Sequence, residues 1–502
     1  MQAIARTVAF EGLDARPVEV QCAVSPGLPA FTIVGLPDKA VTEARERVRA
    51  AISALGLALP AKRITVNLSP ADLPKEGSHF DLPIAMALLA AMDIIPAEEI
   101  TDQLALGELS LSGALVAVLG ALPAAIAAGQ DDCGLICPAA CGAEAAWVGA
   151  VDVIAPPDLL SLVNHITGKA VLAPAQPGHV TTDLTFPDMA DVKGQERAKR
   201  ALEIAAAGRH HVMMIGAPGA GKSMMAKRVA GILPPLTPAE ALETSMIHSR
   251  AGLLGAAGIS YTRPFVDPHH TASMAAIIGG GRGAKPGEIS LAHHGVLFMD
   301  EFPEFPRQVL ETLRQPLETG SVVVSRANAH VRYPCKFMLL AAANPCRCGH
   351  LADPERACAK APICGHDYMS RISGPLMDRF DLRIEVPKMS IADLRQPGQS
   401  EPSSAIATRV AAARAVQADR YAADSDILVN ADLEGSLLDT ATRPDAPGQD
   451  LLEKAAERYG LSARGYHRIL RVARTIADLE GSTQVTRNHV AEAVGYRVSY
   501  LS

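Results

Sequence analysis

The fold turns on one stretch, Val212-Met-Met-Ile215 running directly into Gly216-Ala-Pro-Gly-Ala-Gly-Lys-Ser223. Four apolar residues in a row read as a short, fully buried strand. The next eight fit G-x-x-x-x-G-K-[ST], in which Gly216, Gly219 and Gly221 let backbone N–H groups turn toward phosphate oxygens. Lys222 brings a point charge to the β- and γ-phosphates, and Ser223 offers a hydroxyl to Mg²⁺. ATP and Mg²⁺ are therefore the expected cofactors.

Two further apolar runs, Val296–Met299 and Phe337–Ala343, resemble the first. Each is short, continuous and followed by polar residues, as central strands of a parallel sheet are, with the site at their C-terminal ends. The second run sits in Gly295-Val-Leu-Phe-Met-Asp-Glu301. Two adjacent acids at the end of a buried strand are costly without a cationic partner. Asp300 is the candidate Mg²⁺ ligand beside Ser223, and Glu301 the candidate group that polarises the attacking water. Asn344 ends the third run, where an amide can stand between water and the γ-phosphate. Arg379, in Gly374-Pro-Leu-Met-Asp-Arg-Phe-Asp381, and Arg464, one residue into a helix, read on their own as ordinary surface cations.

Farther out, 502 residues exceed one core and imply several domains. Residues 1–170 mix β-branched runs, such as Ile64-Thr-Val-Asn-Leu68, with the apolar helix expected over Leu82 to Met92. Residues 171–187 read as a Pro/Gly-rich linker, 188–386 as the α/β nucleotide unit opening with a helix from Gln195 to Ala207, and 387–502 as a helical domain. In that last part helices are expected over Ser403–Ala422, Asp450–Tyr459, Ala463–Leu479 with Ser462 as N-cap, and beyond Thr486. Net charge is -7, so any nucleic-acid binding must come from a local basic surface. Nine cysteines, four of them clustered late in the chain, suit a reducing compartment with a candidate metal site rather than a disulfide scaffold. The N-terminus does not read as a signal peptide, and the Ala/Gly-rich apolar stretch Gly113 to Gly129, which contains Pro123, is too short to span a bilayer. A cytoplasmic protein without membrane contact is expected.

Taken together, the phosphate loop, the Asp300-Glu301 strand, Asn344 and Leu376-Met-Asp-Arg-Phe-Asp381 resemble an AAA+ ATPase of the magnesium-chelatase-like branch. Within it, the chain is similar to the ComM family, also called YifB. The likeness includes Val34-Gly-Leu-Pro-Asp38, Pro74-Lys-Glu-Gly-Ser-His-Phe-Asp-Leu-Pro83, Arg263-Pro-Phe-Val-Asp-Pro-His-His270, Asn344-Pro-Cys-Arg-Cys-Gly349 and Ser462-Ala-Arg-Gly-Tyr466. The resemblance implies that Asn344 is sensor 1, Arg379 the finger reaching a neighbouring subunit's ATP, and Arg464 sensor 2. It implies a ring, a homo-hexamer, and ATP-driven branch migration with helicase activity on recombination intermediates in natural transformation. The alternative it leaves open is a chelatase-like remodeller of a protein or metal-insertion complex.

The first 170 residues look like the Lon protease fold, placed ahead of the AAA+ sheet and its helical lid. Pro74-Lys-Glu-Gly77 and Gly107-Glu-Leu-Ser-Leu-Ser-Gly113 are similar to segments around Lon's catalytic serine and lysine. Ser78 falls beside the nucleophile's position, and Pro123 fills the slot of the lysine, whose amine is the base. A protease-like fold without proteolysis follows.

Candidate DNA contacts lie in two places. A long insertion, Ser245 to His294, carries Gly279-Gly-Gly-Arg-Gly-Ala-Lys-Pro-Gly287, where Arg282 and Lys285 suit phosphate gripping or simply a solvated loop. Ser321 to Arg332 reads as a hairpin turning near Asn328, with Arg326, His330 and Arg332 around its tip; in this AAA+ branch such a hairpin commonly faces the pore. Aromatics are only 4% of the chain and none interleave these positions, so backbone contacts are favoured over base stacking. Cys346, Cys348, Cys358 and Cys364 can close a tetrahedral Zn²⁺ site or stay as reduced thiols. Cys133, Cys137 and Cys141 are expected to pack, and the pairs His269-His270 and His293-His294 to be structural or sensing.

Overall fold

The computed structural model describes residues 2–178, 186–254, 258–281, 284–326, 329–351, 357–389, 400–424 and 427–498, with backbone only at 325, 326, 329, 330 and 498. The nucleotide unit is built on a five-stranded parallel sheet. Its spatial order is Phe265–Val266, Val296–Met299, Met338–Ala343, Val212–Ile215, Leu382–Glu385. All residues of the three runs read from the sequence are buried, as a sheet covered on both faces requires. The two outer strands escaped the sequence reading. Phe265–Val266 is only two residues long, and Leu382-Arg-Ile-Glu385 interrupts its apolar run with Arg383.

The expected insertion from Ser245 to His294 is therefore not one loop. Its first residues finish the helix Pro238–Ala251, opened by a capping box of Thr237 and Glu240, and its middle supplies the edge strand of the central sheet. The glycine-rich part folds back on itself, Gly279–Gly280 pairing with Lys285–Pro286. Ser321–Arg326 and Ala329–Pro334 form the expected antiparallel hairpin; its turn at 327–328 lies outside the described residues.

The N-terminal region is α+β. Its seven-stranded mixed sheet wraps the helix Asp81–Ala91, every residue of which is buried. Only the strand Arg63–Ser69 of that sheet had been legible. The C-terminal region is helical: Ser403–Arg420, Ala446–Tyr459, Ala463–Leu479 and Arg487–Val498. Ser462 caps the third of these by accepting a hydrogen bond from the Gly465 N–H, as its sequence position suggested.

Charged residues of Leu376-Met-Asp-Arg-Phe-Asp381 hold this helical region to the sheet. Arg468 on the helix Ala463–Leu479 meets Asp381 at 2.6 Å, and Arg497 meets Asp378 at 3.0 Å. Burial alone would raise the Asp381 carboxyl; Arg468, His210 and His211 reverse that and hold it well below the usual range. No helix among the described residues is long and apolar enough to cross a membrane.

Candidate active site

The phosphate loop leaves the C-terminal end of Val212–Ile215 and enters the helix Lys222–Val229, so the helix N-terminus faces the same space as the loop's amides. Gly216 must be glycine for a steric reason: a Cβ there would lie 2.3 Å from the Val386 carbonyl oxygen. Gly219 and Gly221 have φ of +77° and +93°, and nothing stands within 4 Å of the Cβ position at Gly219. The loop is an open cradle.

Lys222 is buried, and its Nζ donates to the carbonyls of Gly216 (2.6 Å) and Ala217 (3.1 Å) and to Asn344 Oδ1 (3.2 Å). Burial lowers its ammonium below the ordinary lysine range, against the opposing pull of Asp300 and Glu301. Ser223 Oγ donates to Asp300 Oδ2 at 2.5 Å. Asp300 Oδ1 in turn accepts from the Glu301 N–H at 2.9 Å. Strand ends from three parts of the chain thus bring Lys222, Ser223, Asp300 and Asn344 together. A hydroxyl and a carboxylate in contact form the oxygen-only donor set that Mg²⁺ prefers, and the amides and Lys222 suit a polyphosphate.

Glu301 has φ of +50°, a left-handed conformation that turns its side chain out of the strand. His270 Nδ1 lies 3.2 Å from Glu301 Oε2, and His269 stacks on His270 with ring centroids 4.2 Å apart. Asp267, Pro268, His269, His270, Asp300 and Glu301 line one pocket of about 270 Å³. The residue pair that looked merely structural or sensing therefore borders the acids directly. Its signal in the sequence was its place just after the edge strand, which could not be recognised from two residues.

Arg379 and Arg464 do not join this cluster. Arg379 is 4% exposed, and its Nη2 donates to Glu318 Oε2 at 2.7 Å, while Arg464 Nη2 donates to the other oxygen of Glu318 at 2.8 Å. Glu318 was not singled out in the sequence, since a lone acid in a four-residue helix carries no pattern.

Of the candidate DNA contacts, Lys285 and Arg332 are exposed, and Arg332 Nε donates to Ser321 Oγ at 2.9 Å. Arg282 and the side chains of Arg326 and His330 lie outside what is described. Of the four cysteines after Asn344, Cys346, Cys348 and Cys358 lie outside regular elements and Cys364 in the first turn of the helix Ile363–Met369, with Cys346 fully buried. Cys133, Cys137 and Cys141 are buried in an apolar cluster, as expected of packing residues. His293 and His294 both hold Glu243, at 3.1 and 2.7 Å. In the N-terminal region Ser78 Oγ donates to Glu108, the Lys75 amine donates to the Pro70 carbonyl, and Pro123 is buried in the helix Ala121–Gln130. Ser78 is thus paired with a carboxylate, and the Lys75 amine with a backbone carbonyl.

Three family models match the chain: magnesium chelatase, subunit ChlI, over residues 188–394; subunit ChlI of Mg-chelatase over 18–140; and the C-terminal part of subunit ChlI over 400–497. The competence protein ComM of Haemophilus influenzae is 43% identical over 505 residues, covering 99% of this chain and 97% of that protein. YifB of Escherichia coli is 42% identical over 497 residues, covering 98% and 96%. The 38 kDa magnesium-chelatase subunit of Rhodobacter capsulatus is 27% identical over 363 residues, 66% of this chain and 92% of that protein.

Proposed function

The chain belongs to the ComM/YifB family of magnesium-chelatase-like AAA+ proteins, and on that premise we propose that it is a ring-forming ATPase that drives branch migration on DNA. Family membership implies ATP hydrolysis; the DNA substrate, the hexamer and the residue roles are the proposal. In it, Lys222 and the loop amides bind the β- and γ-phosphates, and Asn344 aligns the attacking water. Glu301 takes up that water's proton as the γ-phosphoryl group leaves ADP. Ser223 and Asp300 would hold Mg²⁺, which would supply positive charge to neutralise the phosphates.

One observation carries the ring. Arg379 and Arg464 converge on Glu318, whose side chain is half exposed, whereas Lys222 is bound to its own loop and Asn344. A pair of cations gathered on a carboxylate suits an incoming anion, because phosphate oxygens can replace the two carboxylate oxygens. In a ring that anion is the neighbour's γ-phosphate, and Glu318 holds both arginines until it arrives. The name of the Haemophilus relative, a competence protein, supports DNA as the substrate, with Lys285 and Arg332 among the candidate contacts.

The test is ATP turnover without DNA and with single-stranded, forked and four-way DNA. Forked and four-way DNA are expected to stimulate turnover several-fold. Arg379→Ala is expected to lower it at least about 100-fold, since arginine fingers are worth roughly 10³–10⁵, while leaving ATP binding intact. Rates that ignore every DNA, together with a monomer that persists in ATP, would overturn the motor. The likeness to a chelatase subunit over 66% of the chain favours one rival, a protein remodeller. Stimulation by a partner protein in place of DNA would select it.

A further inference from the structure

The loop that follows Asn344 has a construction that ATP hydrolysis does not require. Cys346 is fully buried, and its Sγ lies 3.1 Å from Cys348 Sγ. Cys364 joins them, the three sulfurs all lying within 4.8 Å of one another. Cys358 is the fourth thiol of this stretch, six residues before Cys364. Two tight turns present these thiols: the Gly349 N–H donates to the Cys346 carbonyl, and the Ala361 N–H to that of Cys358. All four cysteines are free rather than paired as disulfides.

We infer that Cys346, Cys348, Cys358 and Cys364 form a structural Zn²⁺ site that fastens the Asn344 loop onto the phosphate loop. Four thiolates about 2.3 Å from a common zinc stand roughly 3.8 Å apart, close to the spacing of the three sulfurs already gathered, and Cys358 in the adjoining turn is the thiol that completes the set. An all-sulfur tetrahedral set selects a soft or borderline cation over Mg²⁺ or Ca²⁺. Each thiol gives up its proton on binding, four Zn–S bonds form, and no electron is transferred.

The link to the nucleotide is a matter of contact. Gly349, directly after Cys348, presses on the phosphate loop so closely that a Cβ there would lie 2.6 Å from the ring of Pro218. Gly365, directly after Cys364, is packed against Leu351 and 3.1 Å from the Pro345 carbonyl by the same measure. The cluster thus braces both the residue following Asn344 and the roof of the phosphate cradle. The other group with metal-site composition, Glu243, His293 and His294, lacks this character. His293 Nδ1 accepts from the Lys336 N–H, which leaves its Nε2 protonated and donating to Glu243.

Metal analysis of the full-length protein, expressed in zinc-replete medium and desalted exhaustively, tests the site. One zinc per chain is expected, falling below about a tenth in Cys346→Ser/Cys364→Ser and below about a half in Cys348→Ser, whose side chain is at the rim and should leave folding intact. Less than a tenth of a zinc in the unaltered protein, stoichiometric iron in its place, or full zinc in the double variant would each overturn the assignment. Stripping zinc with a chelator and removing the chelator before adding Mg²⁺ and ATP is expected to cut turnover at least about five-fold, with recovery on adding one equivalent of Zn²⁺. Unchanged turnover in the stripped protein would overturn the bracing role.

Discussion

Lys75 in the N-terminal region and Lys222 in the nucleotide unit are both buried, and burial lowers the ammonium of each. Both sit in short glycine-containing strings that mark the family. Their surroundings differ. The Lys75 amine is spent on the Pro70 carbonyl five residues back, and its backbone bonds to Leu36 and Asp38, joining two loops of one sheet. Lys222 meets Asn344 from another strand, and Asp300 and Glu301 from a third stand close enough to pull on its charge. Next to it the cradle at Gly219 is open. A desolvated amine thus marks a site only where acids and amides from separate elements converge on it beside open space; otherwise it is a fold bond.

The largest separation between the two should appear in turnover. Lys222→Ala is expected to lower ATP hydrolysis at least about 100-fold, the scale of removing a preorganised electrostatic partner. Lys75→Met, which keeps the stem's packing, should leave it within about two-fold. Steady-state phosphate release from the two purified variants measures both. An equal loss in both would break the contrast and give the N-terminal region a part in the chemistry.

A smaller effect separates two buried carboxylates. Asp81 has one arginine partner, Arg47, at 2.6 and 2.9 Å, and burial prevails, raising its carboxyl above the usual range. Asp381 has Arg468 and two histidines, and is held well below that range. Relative to an ordinary carboxylate, the surroundings thus favour ionisation at Asp381 and oppose it at Asp81. Asp381→Asn should cost about 3–5 kcal/mol, as expected for breaking a buried ion pair, and should loosen the helical region from the sheet. Asp81→Asn should cost clearly less. Urea unfolding followed by circular dichroism decides, and equal costs would show that burial, rather than the number of partners, sets the balance.

The central sheet was legible because Val212–Ile215, Val296–Met299 and Met338–Ala343 are unbroken apolar runs that end in functional residues. The four residues gathered at their ends followed from the same pattern. What stayed hidden depends on distance in sequence. Glu318 bridges Arg379 and Arg464 across 61 and 146 positions, and His270 reaches Glu301 only because a two-residue strand sets it there. The seven-stranded sheet also gave little away, since several of its strands are two or three residues long and leave no period to read.

The last contrast concerns acid. His79, in the N-terminal region, donates to the Val8 carbonyl at 2.9 Å, and burial brings its imidazole down to about 4. His211, in the nucleotide unit, accepts the Leu339 N–H at 3.1 Å and is brought by burial to about 3. Both are neutral when folded, and each would titrate near 6.5 when unfolded. Between 6.5 and the folded value the unfolded chain binds more protons, so stability is fully present above 6.5 and drains away as pH falls. From pH 7 to pH 5 each histidine should remove about 2 kcal/mol. His79→Gln keeps a donor for Val8 without a titrating ring, so in that variant the loss measured by urea unfolding at the two pH values should shrink by about that amount. An unchanged loss would mean that His79 is not held neutral in the fold, and that the acid sensitivity belongs to the nucleotide unit alone.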